Sequence, residues 1–125
     1  MTVKKIPDAE LDVMMVIWDA EDCGNCPVTS EYIMERLNKS WTKTTLLNLL
    51  TRLVNRGFLR CEKSGRLNVY FPLEERGDYV REESRSFLKK LHHGSLSSLV
   101  ASLYDGGKVP EDEIAELERL IEEAK

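Results

Sequence analysis

Two cysteines three positions apart, in the run Cys23-Gly-Asn-Cys-Pro-Val, are the most reactive pair the sequence offers. A Cys-x-x-Cys turn does redox chemistry when it opens a helix in a strand-helix-strand unit, and supplies half a zinc site when a second ligand pair lies elsewhere. No strand-helix-strand pattern surrounds Cys23 and Cys26. Ordinary loop thiols are therefore the expectation, with a reversible disulfide or a metal half-site as the sharper alternatives. The third cysteine, Cys61, alternates with Leu59 toward the apolar face of a strand, which makes burial its expected role. His92 and His93 are neighbours and point apart on a helix, an arrangement unsuited to joint metal ligation. The sequence holds no glycine-rich phosphate loop and no nucleophile motif, and the many glutamates of the tail have the spacing of a solvated helix face. No catalytic residue, metal ligand or cofactor is assigned, and the chain is not expected to be an enzyme.

A second set of side chains is suited to reading base edges. On a helical wheel through residues 42–57, Leu46, Leu50 and Leu53 share one face, while Thr44, Asn48, Thr51 and Asn55 gather opposite, with Leu47 and Arg52 on the flanks. Asn pairs bidentately with adenine, Thr donates or touches a thymine methyl, and a flanking Leu can do the latter. Thr44, Thr45, Leu47, Asn48 and Thr51 are the candidate base readers. Lys43, Arg52, Arg56, Lys63 and Arg66 are candidates to hold phosphates, which fixes register without reading sequence. The formal net charge is −4, yet Lys39 to Arg66 carries seven basic residues against one acid, a local +6, while Pro72 to Lys125 comes to −5. A basic patch on an acidic chain suits a DNA-reading module joined to a part with another task.

The elements that must position these groups follow from caps and periodicity. Asp8 is a suitable N-cap for a first helix over residues 8–20, carrying Leu11, Met14, Met15 and Trp18. Thr29 or Ser30 can cap a second helix with Ile33 and Leu37, and Thr42 a third that stops at Gly57. Residues 58–63 and 67–71 read as strands about the turn dipeptide Ser64-Gly65. Three helices and a basic-tipped hairpin form the order of a winged helix-turn-helix, whose recognition helix lies in the major groove. The fold expected is mainly α with a small β-hairpin wing: a DNA-binding domain over 1–74 and a helical dimerisation domain over 75–125.

The tail carries three apolar stripes. Tyr79, Glu83, Phe87 and Leu91 mark the first; Leu96, Leu99, Val100 and Leu103 the second; Ile114, Leu117, Leu120 and Ile121 the third. Pro110 suits a first helical position, followed by the acids favoured at a helix start. About fifty residues cannot close a stable core alone. Pairing with a second copy through Phe87, Leu91, Leu96, Leu99, Val100, Leu103, Ile114, Leu117 and Ile121 is the expected remedy, and folding back onto the first domain the alternative.

At 125 residues, 42% hydrophobic and 32% charged, the balance is globular. No apolar run approaches a membrane span, no leader pattern opens the sequence, and three cysteines cannot all pair within one chain. A cytoplasmic protein with reduced thiols is expected.

Four segments resemble the BlaI/MecI family of penicillinase-type repressors: Asp8-Ala-Glu-Leu-Asp-Val-Met, Thr51-Arg-Leu-Val-Asn-Arg-Gly-Phe, Glu83-Ser-Arg-Ser-Phe-Leu and Gly94-Ser-Leu-Ser-Ser-Leu-Val. They occur in the family's order and span nearly the whole chain. The resemblance implies a homodimeric repressor of a palindromic double-stranded operator, often inactivated when a membrane sensor protease is triggered by a β-lactam, and hence a link to antibiotic resistance. Copper-responsive relatives carry a cysteine-rich motif near the C-terminus, and residues 105–125 contain no cysteine. The family's scissile bond follows a Ser-Leu-Val and joins an Asn to a Phe; here it would join Ser102 to Leu103, neither of which matches. Against the family's shorter link, residues 19–26 look like a small insertion, with Cys23 and Cys26 in it. A winged-helix protein-interaction adaptor, or a metal- or redox-responsive repressor using Cys23 and Cys26, are the rival functions.

Overall fold

The computed structural model describes residues 5–105, 107 and 109–125. Helix α1 spans Asp8–Asp22 and buries Val13, Met14, Ile17 and Trp18 along one stripe. Pro7, not Asp8, takes the cap position, and Asp8 is the first helical residue. There its charge, with that of Glu10, faces the positive end of the helix. Helix α2 spans Ser30–Arg36, and its start is held by the Thr29 hydroxyl, which accepts from the Tyr32 amide at 3.2 Å. Helix α3 spans Lys43–Asn55 and is capped the same way by Thr42, which accepts from the Thr45 amide at 3.2 Å. Its buried residues are Leu46, Leu49, Leu50 and Leu53.

Gly57, at φ 85°, stops α3: its amide donates to Val54 O and that of Phe58 to Leu53 O, both at 3.0 Å. Only glycine enters this left-handed region without a Cβ penalty. The chain then enters β1 (Leu59–Ser64) and β2 (Leu67–Pro72), antiparallel from Leu59↔Pro72 to Ser64↔Leu67. The turn is Gly65-Arg66 rather than Ser64-Gly65, because Ser64 is still paired and Gly65, at φ 66°, takes the first turn position. Val28 bridges Tyr70 on the other side of β2, with its amide 3.3 Å from Tyr70 O and Tyr70 N 2.9 Å from Val28 O. A single bridging residue has no periodicity to reveal it. This helix-helix-helix-hairpin arrangement is a winged helix-turn-helix with α3 as the second helix of the motif.

The apolar faces of α1, α2 and α3 meet the base of the hairpin in one core, which also takes in Ile6, Phe58 and Tyr79. Tyr79 belongs to helix α4 (Arg76–His92), and the sequence reading placed it at the head of the tail's stripe. It is instead buried, its ring tilted against that of Trp18 with centroids 5.7 Å apart and edge-on to Phe58, and its hydroxyl accepts the Ile6 amide at 2.8 Å. Trp18 Nε1 donates to Glu74 O at 2.8 Å, and Arg76 reaches Asp19, Asp22 and Met15 O on α1. The start of α4 is thus built into the helix-turn-helix core.

The chain divides into two compact units, Met1–Glu83 and Ser84–Lys125, so the division falls inside α4. The second unit holds the rest of α4, α5 (Leu96–Tyr104) and α6 (Glu111–Ala124). Ser95 caps α5, accepting from the Ser98 amide at 3.1 Å, and His92 Nδ1 lies 2.9 Å from Ser98 Oγ. Pro110 occupies the cap of α6, one place before the first helical residue, Glu111. Neither α5 nor α6 contains a buried residue.

Candidate nucleic-acid interface

Helix α3 buries four leucines on one side, and this leaves a defined outer face. Thr44, Thr45, Leu47, Asn48 and Thr51 are all exposed on it. The five are not equally free. Thr51 donates its hydroxyl to Leu47 O at 2.9 Å, so its proton is spent within the helix. The Thr45 hydroxyl lies 3.1 Å from that of Thr42 in the cap. Asn48 has no side-chain partner among the described residues and keeps both amide donors and its carbonyl for an outside ligand.

The cations separate into two groups. Arg52, Lys63 and Arg66 are exposed and have no acidic partner among the described residues. Lys43 Nζ stands 3.0 Å from Glu31 Oε1. Arg56 Nη1 stands 3.0 Å from Oε2 of Glu10, whose side chain is only 2% exposed. Arg56, expected as a free phosphate ligand, thus anchors the end of α3 to the buried carboxylate of α1. Lys39 pairs with Asp12 at 3.2 Å, and Arg60 pairs with Glu62 at 2.9 Å while lying over the Phe71 ring. Three of these acids, Glu10, Asp12 and Glu31, precede residue 39, so the +6 counted along the chain is reduced in space by partners that the count left out.

Between α3 and the wing lies an open groove of about 180 Å³. Lys43 and Leu47 of α3, Ser30 and Glu31 of α2, and Arg66 and Asn68 of the wing line it. Ser30, Glu31 and Asn68 were not among the expected site residues. They come from elements far apart in sequence and share no motif. Glu31 is held below the usual carboxylate range, first by its hydrogen bond to Lys43.

Cys23 and Cys26 lie in the segment between α1 and α2, and Cys61 lies in β1. Cys23 is exposed, and Cys26 turns its sulfur toward Ile17 O at 3.5 Å, where burial pushes the thiol up and disfavours thiolate. Cys61 was expected to be buried and is exposed. It does share a face of the hairpin with Tyr70, its cross-strand partner, yet the core covers that face only as far as Leu59 and Tyr70. Alternation gives the face of a strand and not the extent of its cover. Among the described residues no group of three or more His, Cys, Asp or Glu side chains could hold a metal, and no helix is long and apolar enough to cross a membrane.

In the second unit, Phe87, Leu91, Leu96, Leu103 and Ile121 are exposed, and Leu99, Val100, Ile114 and Leu117 are half-buried. The Ser102–Leu103 bond lies in the last turn of α5; Ser102 donates its hydroxyl to Ser98 O at 3.0 Å and Leu103 is 61% exposed.

Comparison with known proteins gives this geometry a context. The penicillinase repressor of Bacillus licheniformis is 38% identical over 127 residues, which covers 98% of this chain and 96% of that one. The methicillin resistance regulatory protein MecI of Staphylococcus aureus (strain N315) is 30% identical, over 94% of this chain and 93% of that one. The solution structure of monomeric Bacillus licheniformis BlaI in complex with the blaP half-operator matches at a TM-score of 0.50 and 33% identity, covering 62% of this chain and 90% of that one. The family model for the penicillinase repressor matches residues 6–123, nearly the whole of the sequence. The chain belongs to the penicillinase repressor family.

Proposed function

We propose that this protein is a homodimeric, sequence-specific transcriptional repressor that sets one α3 in the major groove of each half of a palindromic operator. The observation that carries this reading is the outer face of α3, polar and uncharged with Asn48 free of a side-chain partner among the described residues, together with Arg52 on α3 and Lys63 and Arg66 on the wing, exposed and without acidic partners among those residues. The relative solved on its half-operator supports it. Members of the family are regulators rather than enzymes, and no step of catalysis is assigned to this chain.

In this reading Thr44, Thr45, Leu47, Asn48 and Thr51 face base edges. Arg52, Lys63 and Arg66 hold phosphates, Lys43 does so after leaving Glu31, and Arg56 offers only the donors that Glu10 does not use. Residues 1–74 carry the DNA-binding role, with the first turn of α4 packed into their core, and the remainder of 75–125 carries the pairing role through the apolar side chains of later α4, α5 and α6. The protein works in the cytoplasm, where its operator is. Release follows cutting of the Ser102–Leu103 bond by a membrane sensor protease: separating Leu103 from Leu96, Leu99 and Val100 splits the stripe that the pairing uses.

Titration of the intact protein into duplex DNA at several salt concentrations tests the reading. Two copies of three to five phosphate-holding cations give roughly six to ten contacts, and a log–log slope on the order of −5 to −9. Salt-insensitive association, or none at low salt, overturns it. Mass spectrometry of the protein from its native cells, with and without a β-lactam, tests the release step. An unchanged full-length mass while the target gene is induced rules out the cut.

A further inference from the structure

Glu31 is the one acid in the groove between α3 and the wing, and it stands where the proposed function needs a phosphate. Its Oε1 receives the Lys43 ammonium at 3.0 Å and its Oε2 the Ser30 hydroxyl at 3.3 Å. Ammonium and hydroxyl are donors that a phosphate oxygen would use, and a carboxylate matches phosphate in charge sign and acceptor geometry. Arg66, across the same groove, has no acidic partner among the described residues. The groove thus has two cations, one neutralised from within the chain and one left open.

We infer that Glu31 is an intramolecular competitor for the DNA backbone, an affinity-setting residue that holds Lys43 and Ser30 until a phosphate displaces it. The inference rests on the repressor reading and deepens it. Displacement costs the Glu31–Lys43 pair and brings a carboxylate close to the phosphate that replaces it. Neither cost depends on base sequence, because the two groups that Glu31 holds, the Lys43 ammonium and the Ser30 hydroxyl, are assigned to phosphate and not to base edges. Glu31 therefore lowers affinity for every duplex by a similar factor. That restrains nonspecific occupancy, which depends almost wholly on phosphate contacts. The other acid on α2, Glu35, pairs with Arg36 at 3.8 Å and, although it lines a shallow pocket with Lys43, makes no ion pair with it among the described residues, so it serves as a control for loss of a nearby charge.

The test uses the full-length protein and a mixed-sequence duplex of about three helical turns, at several salt concentrations. Glu31→Gln is expected to raise affinity roughly three- to tenfold per bound half-site, and to steepen the salt slope by about one unit per protomer. Glu35→Gln should gain less. In a Lys43→Ala background the gain from Glu31→Gln should shrink by more than half, because the cation it frees is gone. A gain that survives undiminished there reports general electrostatics and overturns the inference. So does an unchanged affinity, or a loss confined to one base position, which would make Glu31 a base reader. Binding by neither protein at low salt removes the repressor reading and this inference with it, whereas equal binding by both removes the inference alone.

Discussion

Asn48 on α3 and Arg66 in the turn of the wing are both exposed, yet only the Asn side chain is suited to discriminate between bases. The Asn amide presents a donor and an acceptor side by side, which matches adenine in the major groove; the wing guanidinium presents charge to a backbone that is alike everywhere. Asn48→Ala is therefore expected to relax preference at one position of each half-site, at about 1–3 kcal/mol. Arg66→Ala or Lys63→Ala should weaken all sequences alike, and selection of bound duplexes from a random pool distinguishes the two patterns. Arg56 carries a different prediction, because its partner Glu10 is buried. Arg56→Ala leaves that carboxylate without its counter-charge and should cost about 1–3 kcal/mol in urea unfolding, the lower part of the range reflecting the half-exposed guanidinium. Glu10→Gln keeps an acceptor for Arg56 and should cost less. Cys23→Ser with Cys26→Ser should leave DNA affinity unchanged in reducing buffer, since neither sulfur takes part in the α3 face; stoichiometric zinc in the purified protein would contradict this.

Among the elements, α4 departs furthest from its expected role. Its first turn is part of the helix-turn-helix core, because the Tyr79 ring fills the space beside Trp18 and Phe58 and its hydroxyl accepts the Ile6 amide. Burial pushes the Tyr79 and Tyr70 phenols above their ordinary value, although the Ile6 bond partly offsets this for Tyr79. The folded state therefore favours the neutral phenols. Their contribution is complete below the unfolded value, about 10, and is lost as pH rises through the raised folded values. Stability of the first unit should be level near neutrality and fall in alkali. Tyr79→Phe should lose about 1–2 kcal/mol at neutral pH, because the buried Ile6 amide loses its acceptor, and then fall less steeply above pH of about 10. Denaturant midpoints measured across that range check both statements. An alkaline slope unaltered by Tyr79→Phe would remove Tyr79 as its source.

For the molecule as a whole, the two units differ in how they dispose of apolar surface. The first closes a core around α1, α2, α3 and the hairpin. The second is too short to do so alone, and α5 and α6 keep every side chain at least partly exposed. The proposed pairing of two chains through these helices would cover that surface, and the prediction at this scale concerns assembly. Leu99→Asp should yield a monomer in sedimentation while the first unit stays folded, since a carboxylate without a partner is not tolerated in a buried apolar seam. Operator affinity should fall by roughly a hundredfold or more, because the second half-site is no longer held at high effective concentration. An intact dimer would place Leu99 outside the seam.

By itself the sequence determined the features that act through near neighbours. Thr42 caps α3, Gly57 ends it, leucines at helical spacing turn the Thr and Asn side chains of α3 outward, and two alternating runs pair as a hairpin, whereas the choice of Thr29 over Ser30 as the cap of α2 was left to the structure. Each depends on residues a few positions apart, so local geometry fixes the element, although the α1 cap, the hairpin turn and Pro110 each fell one position from where the sequence put them. Tertiary structure alone decided which cations are free, because Lys39, Lys43 and Arg56 meet acids 12 to 46 positions away. It also decided that Cys61 lies beyond the cover of the core, that Tyr79 belongs to the first unit, and that Val28 bridges Tyr70. Charge counted along a chain ignores Coulomb partners that folding brings to 3 Å, and alternation along a strand cannot show how far a neighbouring helix covers it.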